Sequence, residues 1–277
     1  MAGMTKRPAE AASAEYQNAR NEAGGMRLAL LGHGRMGHAV EAVAREAGHE
    51  VVAIFDGPGE PTAGALRDAE VAIDFTTPDA APANIRAAAS LGVDMVVGTT
   101  GWYDRMAEAR RAVEDAGTGL VWAPNFSLGV HLFFRIARAA ARLADTLDGY
   151  DVYVHEVHHR HKVDHPSGTA RRLAEILVAE LSGKDRWAEA PPEGAPDPTT
   201  LWVGSSRTGE VPGTHWVGIE GPDDALELRH TARGRAGFAR GALTAAAWIR
   251  GRPGFHDIDD MLAERFGGTG RVAPGGR

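Results

Sequence analysis

Five of the twelve histidines lie within eleven residues, at His155, His158, His159, His161 and His165, with Arg160 and Lys162 among them. Imidazole exchanges protons near neutral pH, and grouped imidazole, guanidinium and ammonium side chains concentrate positive charge. The chain as a whole carries a formal charge of −7, which argues against a general nucleic-acid or anionic-membrane surface. An acidic small molecule would have to be met by a local cluster such as this one. His158 is the candidate proton carrier. Lys162, four residues on, converges with it only if the chain turns, and the loop toward Pro166 permits that. Ser167-Gly168-Thr169 then opens a helix. Its hydroxyls, its small residue and the free N–H groups of the first turn suit a carboxylate; the same tripeptide serves equally as a plain helix cap.

His155-Glu156-Val157-His158-His159 also spells H-E-x-x-H, which binds zinc only on a helix, where the two histidines share a face. The preceding Tyr150-Asp151-Val152-Tyr153-Val154 alternates and carries β-branched and aromatic residues, as a strand does. On a strand, His155 and His159 stand roughly 13 Å apart at about 3.3 Å per residue, too far for one ion. No metal is expected here.

A second constellation lies upstream. Gly32-His33-Gly34-Arg35-Met36-Gly37 follows the apolar run Leu28 to Leu31 and opens an Ala-rich helix over about 37–47. A Gly-x-Gly-x-x-Gly between strand and helix lets backbone N–H groups approach a pyrophosphate at the positive end of the helix dipole. Asp56 closes the next strand, 24 residues after Gly32, where a carboxylate can accept from a ribose 2′-OH. A 2′-phosphate would meet that charge, and Gly57 to Leu66 contain no Lys or Arg. The cofactor expected is therefore NADH, favoured over NADPH, although Arg35 can approach a phosphate from the other side.

These residues need elements to hold them. Short apolar strands at Leu28 to Leu31, Val51 to Phe55, Val71 to Phe75, Met95 to Val97 and Leu120 to Ala123 alternate with helices near 79–91 and 104–116. That rhythm indicates a parallel sheet covered on both faces. After Asn125 it changes to a long helix over about 128–147, a half-exposed strand over 150–157 and a helix over 167–181. Strands near 201–203, 215–219 and 225–231 follow, then a helix over 238–250 that would return to the first domain. The fold class expected is α/β, a Rossmann-type parallel sheet plus a second α+β domain with a mixed sheet. The expected division is a disordered tail over 1–25, a dinucleotide-binding domain over 26–126 with 237–277, and a substrate-binding and oligomerisation domain over 127–236. The chain has no cysteine, which removes disulfides and thiolate chemistry and fits a reducing, cytoplasmic setting. No run approaches the ~18 apolar residues of a membrane span.

The run Glu156-Val157-His158-His159-Arg160-His161-Lys162-Val163-Asp164-His165-Pro166-Ser167-Gly168-Thr169-Ala170 closely resembles the signature of the 4-hydroxy-tetrahydrodipicolinate (dihydrodipicolinate) reductase family of lysine and diaminopimelate biosynthesis. The likeness extends from Met26 nearly to the C-terminus, through Gly34 to Gly37, Ile73 to Thr76, Gly98 to Gly101, Ala123 to Ser127, Arg207 to Glu210 and Arg235 to Ala242. It implies that His158 is the proton donor and acceptor, that Lys162 is a second proton donor, and that His159, Gly168 and Thr169, with Ser167, hold the substrate carboxylates. Gly98, Thr99, Thr100, Ala123, Pro124, Asn125 and Phe126 would line the nicotinamide side of the cleft. A homotetramer built on the mixed sheet is implied too. The implied reaction delivers hydride to ring C4 of a conjugated cyclic imine and protonates the resulting enamine. Three features depart from the family pattern: a glycine loop one residue shorter than in many members, a short segment between Asp56 and Val71, and His165 where Ala or Ser is usual.

Three other readings compete. One is a Rossmann dehydrogenase acting on another imine or an amino acid, against which the Lys162 to Thr169 block speaks. Another is a catalytically silent NAD-binding protein, which would be expected to have lost His158 or Lys162. The third is the zinc hydrolase already weighed on geometry.

Overall fold

The computed structural model describes residues 25–57, 63–66, 68–189 and 194–266; the tail expected over 1–25 lies outside them but for its last residue. The chain divides into two compact units, 1–124 with 242–257 and 125–241 with 258–277.

In the first unit, β1 (Arg27–Leu31), β2 (Glu50–Phe55), β3 (Val71–Asp74), β4 (Asp94–Val97), β5 (Gly119–Trp122) and β11 (Gly254–Asp257) form one parallel sheet in the order β11-β5-β4-β3-β1-β2. The connections include α1 (Arg35–Glu46), the short α2 (Ala63–Leu66), α3 (Ala81–Ser90) and α4 (Met106–Ala116). Buried β1, β3 and β4 carry almost nothing but apolar residues, because helices cover both faces of such a sheet. Ala72, Met95, Val97 and Leu120 of the sheet pack in one core with Ile85, Ala88, Ala109 and Val113 of α3 and α4. The order reverses beside β1, the switch point where open α/β sheets take ligands at the carboxyl ends of their strands.

The second unit begins with α5 (Leu128–Ala144) and contains β6 (Asp151–His158), α6 (Gly168–Glu180), β7 (Arg186–Ala188), β8 (Thr200–Arg207), β9 (Thr214–Glu220) and β10 (Ala225–Thr231). Its sheet runs β10-β9-β6-β8-β7. It is mixed: β6 pairs β8 in parallel and β9 antiparallel. Val152 and Val154 of β6 turn inward with Leu201, Val203, Val217 and Ile219, and pack on Phe133, Ala137 and Ala141 of α5 and Leu173 and Leu177 of α6.

At the C-terminus the compact units divide the chain differently from the expected domains. The division falls within α7 (Ala236–Ile249), between Gly241 and Ala242, so the second unit runs five residues beyond the expected 236. Beyond β11 the chain leaves the first unit, since α8 (Ile258–Phe266) groups with the second. Phe266 lies under the Arg135 guanidinium of α5, 5.1 Å from ring centroid to Cζ, a contact absent from any local pattern. β11 itself was not foreseen: Gly-Phe-His-Asp holds one strongly apolar residue and sits at the sheet edge. Among the described residues no helix is long and apolar enough to cross a membrane.

Candidate active site

The carboxyl ends of β1, β2 and β3 enclose a cleft of about 670 Å³ lined by Gly32, Gly34, Phe55, Asp56, Phe75, Thr76, Thr77 and Asn84, among others. Gly34 caps α1 with no side-chain hydrogen bond, and the first turn carries no acidic residue. Its opening N–H groups therefore keep their capacity for an anion. Gly37 is required by close approach, because a Cβ there would overlap the Gly32 carbonyl oxygen. Arg35 is exposed and Met36 half-buried in the same first turn. Asp56 is exposed just beyond β2, and its Oδ1 accepts from the His33 amide at 3.0 Å. The dimensions and donors of this cleft fit a dinucleotide.

One organising group was not singled out from sequence. Asp74 ends β3 fully buried. Its Oδ1 accepts from the Thr76 amide (3.0 Å), the Thr76 hydroxyl (2.8 Å) and the Thr99 hydroxyl (2.6 Å), and its Oδ2 from Asn84 Nδ2 (2.7 Å). Thr99 is thus turned inward to hold the loop after β4, and the Gly98 amide donates to the Asp74 carbonyl at 2.9 Å. Thr100 is exposed. The unit boundary passes between Pro124 and Asn125. Ala123 is buried and Pro124 exposed in the first unit; Asn125 is half-buried and Phe126 buried in the second.

In the second unit, β6 shows strict alternation, and its inward face changes from Val152 and Val154 to Glu156 and His158. Register dictates their neighbours: Glu156 lies opposite His215 of β9 and Ser205 of β8, and His158 opposite Arg207. A buried carboxylate must be matched by donors, and these strands supply them. Glu156 Oε1 accepts from the Ser205 hydroxyl (3.0 Å), Arg207 Nη2 (2.9 Å) and the Ser167 amide (2.9 Å). Its Oε2 lies 3.1 Å from His158 Nδ1 and 3.4 Å from His215 Nε2. Burial opposes the Glu156 charge, but the hydrogen bonds from His158, His215 and Ser167 outweigh it and hold the carboxyl well below the usual range. Burial pushes the His215 imidazole down, against the opposing hydrogen bond to Glu156.

The chain turns after β6 as the spacing required, with the Lys162 amide donating to the His159 carbonyl at 3.1 Å. Lys162 Nζ reaches Asp164 Oδ1 at 2.7 Å and Oδ2 at 3.0 Å. Despite its own desolvation, Asp164 is held low by that ammonium. Arg207 Nη2 also donates to the Asp164 carbonyl at 2.6 Å, tying the loop to Glu156. His159 is half-buried, Gly168 exposed and Thr169 half-buried in the first turn of α6, where amides lack intrahelical acceptors.

Ser167 serves as the cap of α6. It is buried, and its Oγ accepts from the Ala170 amide at 3.2 Å and lies 3.1 Å from His215 Nε2. The cap uses the hydroxyl oxygen as an acceptor and leaves its proton to donate. Ser167→Ala is therefore expected to lower stability by about 1 kcal/mol, typical for a lost N-cap, as a shift in the urea midpoint; an unchanged midpoint would contradict it. The H-E-x-x-H residues lie on β6 and the loop after it, not on a helix. His155 instead packs against Trp216, with ring centroids 5.7 Å apart.

Residues 26–126 match the family model described as dihydrodipicolinate reductase, N-terminus, and residues 129–262 that of the C-terminus. The 4-hydroxy-tetrahydrodipicolinate reductase of Thiobacillus denitrificans is 40% identical over 86% of this chain and 98% of its own length. That of Christiangramia forsetii is 37% identical over 87% and 99%. Among solved structures, the dipicolinate-bound dihydrodipicolinate reductase of Paenisporosarcina sp. TG-14 superposes with a TM-score of 0.68 at 23% identity, covering 86% of this chain and all of that one. An amine dehydrogenase from Mycobacterium smegmatis shares the fold at 0.52 and 15% identity, covering 83% and 93%. By sequence along nearly its whole described length, the chain belongs to the dihydrodipicolinate reductase family.

Proposed function

We propose that the chain reduces 4-hydroxy-tetrahydrodipicolinate to tetrahydrodipicolinate, using a reduced nicotinamide cofactor, in lysine and diaminopimelate biosynthesis. The observation that supports the reading is that His158 and the start of α6 share the Glu156 carboxylate, which Arg207 links to Asp164, the partner of Lys162, in a chain whose relatives at 37–40% identity carry that reductase's name. In this reading Gly32, Gly34 and the first turn of α1 (Arg35, Met36, Gly37) hold the pyrophosphate, and Asp56 the adenine ribose. Gly98, Thr99, Thr100 and the Ala123 to Phe126 segment bound the nicotinamide side. The cofactor, when bound, supplies hydride.

The remaining chemistry falls to the chain's own side chains. His158 moves a proton at Nε2, a task for which imidazole is the commonest side chain. Lys162 supplies a second proton and stabilises negative charge as it develops. The amides of Gly168 and Thr169, with His159, grip the carboxylates of a small dicarboxylate. Lys162 is paired with Asp164, so a substrate carboxylate competes with a side-chain carboxylate for the same ammonium. The family's homotetramer and a cytoplasmic setting belong to the same reading.

NADH is the preferred cofactor in this reading, because the exposed Asp56 carboxylate repels a 2′-phosphate and accepts from a 2′-OH. Asp56→Ala is expected to raise the KM for NADH much more than that for NADPH; equal losses would contradict the ribose assignment. The activity itself is tested by following oxidation of NADH and NADPH with freshly generated 4-hydroxy-tetrahydrodipicolinate. Turnover with both, faster with NADH, is expected. Absence of substrate-dependent oxidation would overturn the reading.

A further inference from the structure

The most thoroughly buried ionisable group of the second unit has no part in the chemistry above. Glu156 is completely inaccessible, and its two oxygens are treated differently. Oε1 takes three donors, from Ser167, Ser205 and Arg207. Oε2 has only two imidazole nitrogens near it, His158 Nδ1 at 3.1 Å and His215 Nε2 at 3.4 Å.

A buried carboxylate oxygen without a donor is costly, and neither ring nitrogen is aligned as a hydrogen bond to Oε2. Distance and partnering single out His158. Its Nδ1 is the nearer nitrogen and is buried with no other hydrogen-bond partner among the described residues, whereas His215 Nε2 has the Ser167 hydroxyl at 3.1 Å. A proton on His158 Nδ1 faces the carboxylate charge and is favoured there. The other nitrogen of His158 is then the one that exchanges protons, and the backbone leaves room beside it. Gly213 has φ +146°, and a Cβ at that position would stand 2.8 Å from His158 Nε2.

We infer that Glu156 is the positioning residue for His158, holding Nδ1–H so that Nε2 is presented to substrate. This rests on the reading of His158 as the proton carrier. In the proton-donating step the Nε2–H bond of the imidazolium breaks and the substrate atom gains that proton. The Nδ1–H bond stays intact, and Glu156 stays ionised opposite a ring that has become neutral. The same trio of ligand atoms lies within 4.8 Å, a spacing open to a metal ion. Arg207, however, already pairs with this carboxylate, and the charge of Lys162 bears on His215, so a dication would meet two positive side chains.

Two measurements test the inference. The first uses the unaltered chain: nitrogen-15 NMR of labelled histidines at alkaline pH is expected to find neutral His158 as the Nδ1–H tautomer, assigned by loss of its signals in His158→Gln. An Nε2–H tautomer would overturn the proposal, whatever the activity of the chain. The second is a double-mutant cycle. Glu156→Gln is expected to lower kcat by a factor of about 10 to 100, a large part of what an acid–base group supplies, with the KM for NADH unchanged. In the His158→Gln background it is expected to cost nothing further. The same loss in both backgrounds, or activity abolished by chelation and restored by a divalent metal, would refute it. A wild-type chain inactive on 4-hydroxy-tetrahydrodipicolinate while retaining the Nδ1–H tautomer would remove the functional reading and leave the positioning geometry standing.

Discussion

His158→Gln is expected to lower kcat by a factor of about 10² or more, the usual contribution of a positioned acid–base group, and Lys162→Ala to do the same. Both side chains lie in the second unit, whereas the glycine loop and Asp56 lie in the first. Cofactor binding, followed by fluorescence titration with NADH, should therefore be nearly unchanged in both variants. The two substitutions are expected to differ in KM. Lys162 is paired with Asp164, and in the proposed mechanism a substrate carboxylate competes for its charge, so its loss should weaken substrate as well as slow turnover. His158 is buried against Glu156 and acts on a proton, so its loss should fall mainly on kcat. Normal turnover in both variants would remove the mechanism.

The second large effect concerns Asp74. Asp74→Ala leaves the Asn84 amide, the Thr76 amide and hydroxyl and the Thr99 hydroxyl without their acceptor beneath the cleft. Buried donors left unpaired cost about 1–3 kcal/mol each, with partial relief where water enters. A loss of about 3 kcal/mol or more is expected, and with it a Tm lower by about 6–12 °C for a chain of this size. Thr76 and Asn84 line the cleft itself, so the KM for NADH should rise in the protein that remains folded. Asp74→Asn keeps one acceptor and should lose less on both counts. An unchanged melting temperature in Asp74→Ala would show that this network does not hold the loops.

What was legible in the sequence was what lies close together along it. The glycine loop and its flanking strand and helix are contiguous, so motif and context could be read together. The groups from His158 to Thr169 are separated by one turn, and a proline and a helix start predict that turn. The strand alternation of Tyr150 to Val154 was also enough to set H-E-x-x-H aside, since period decides which side chains share a face.

What was not legible depends on pairing across long stretches of chain. Glu156 meets Ser205, Arg207 and His215 only through the register of β6 with β8 and β9. No local pattern announces that register, although an acidic residue at an inward strand position was a signal that a partner must exist. Asp74 gathers Asn84 and Thr99 from ten and twenty-five residues away in the same manner. The strand before it was evident, but the buried carboxylate at its end was not recognised as the acceptor that holds Thr76 and Asn84 of the cleft lining. Ser167 carries two compatible readings, and the cap role is the one whose partner is local, the Ala170 amide. That α8 groups with the second unit was not legible either, because nine residues of mixed polarity do not reveal their neighbour.

The most direct test uses cofactor deuterated at the carbon that gives up hydride, incubated with the full chain and freshly generated 4-hydroxy-tetrahydrodipicolinate. Mass spectrometry and NMR of the product are expected to find tetrahydrodipicolinate labelled at ring C4. Product lacking deuterium at that carbon, or no product from a chain that still binds the cofactor, would contradict the assignment.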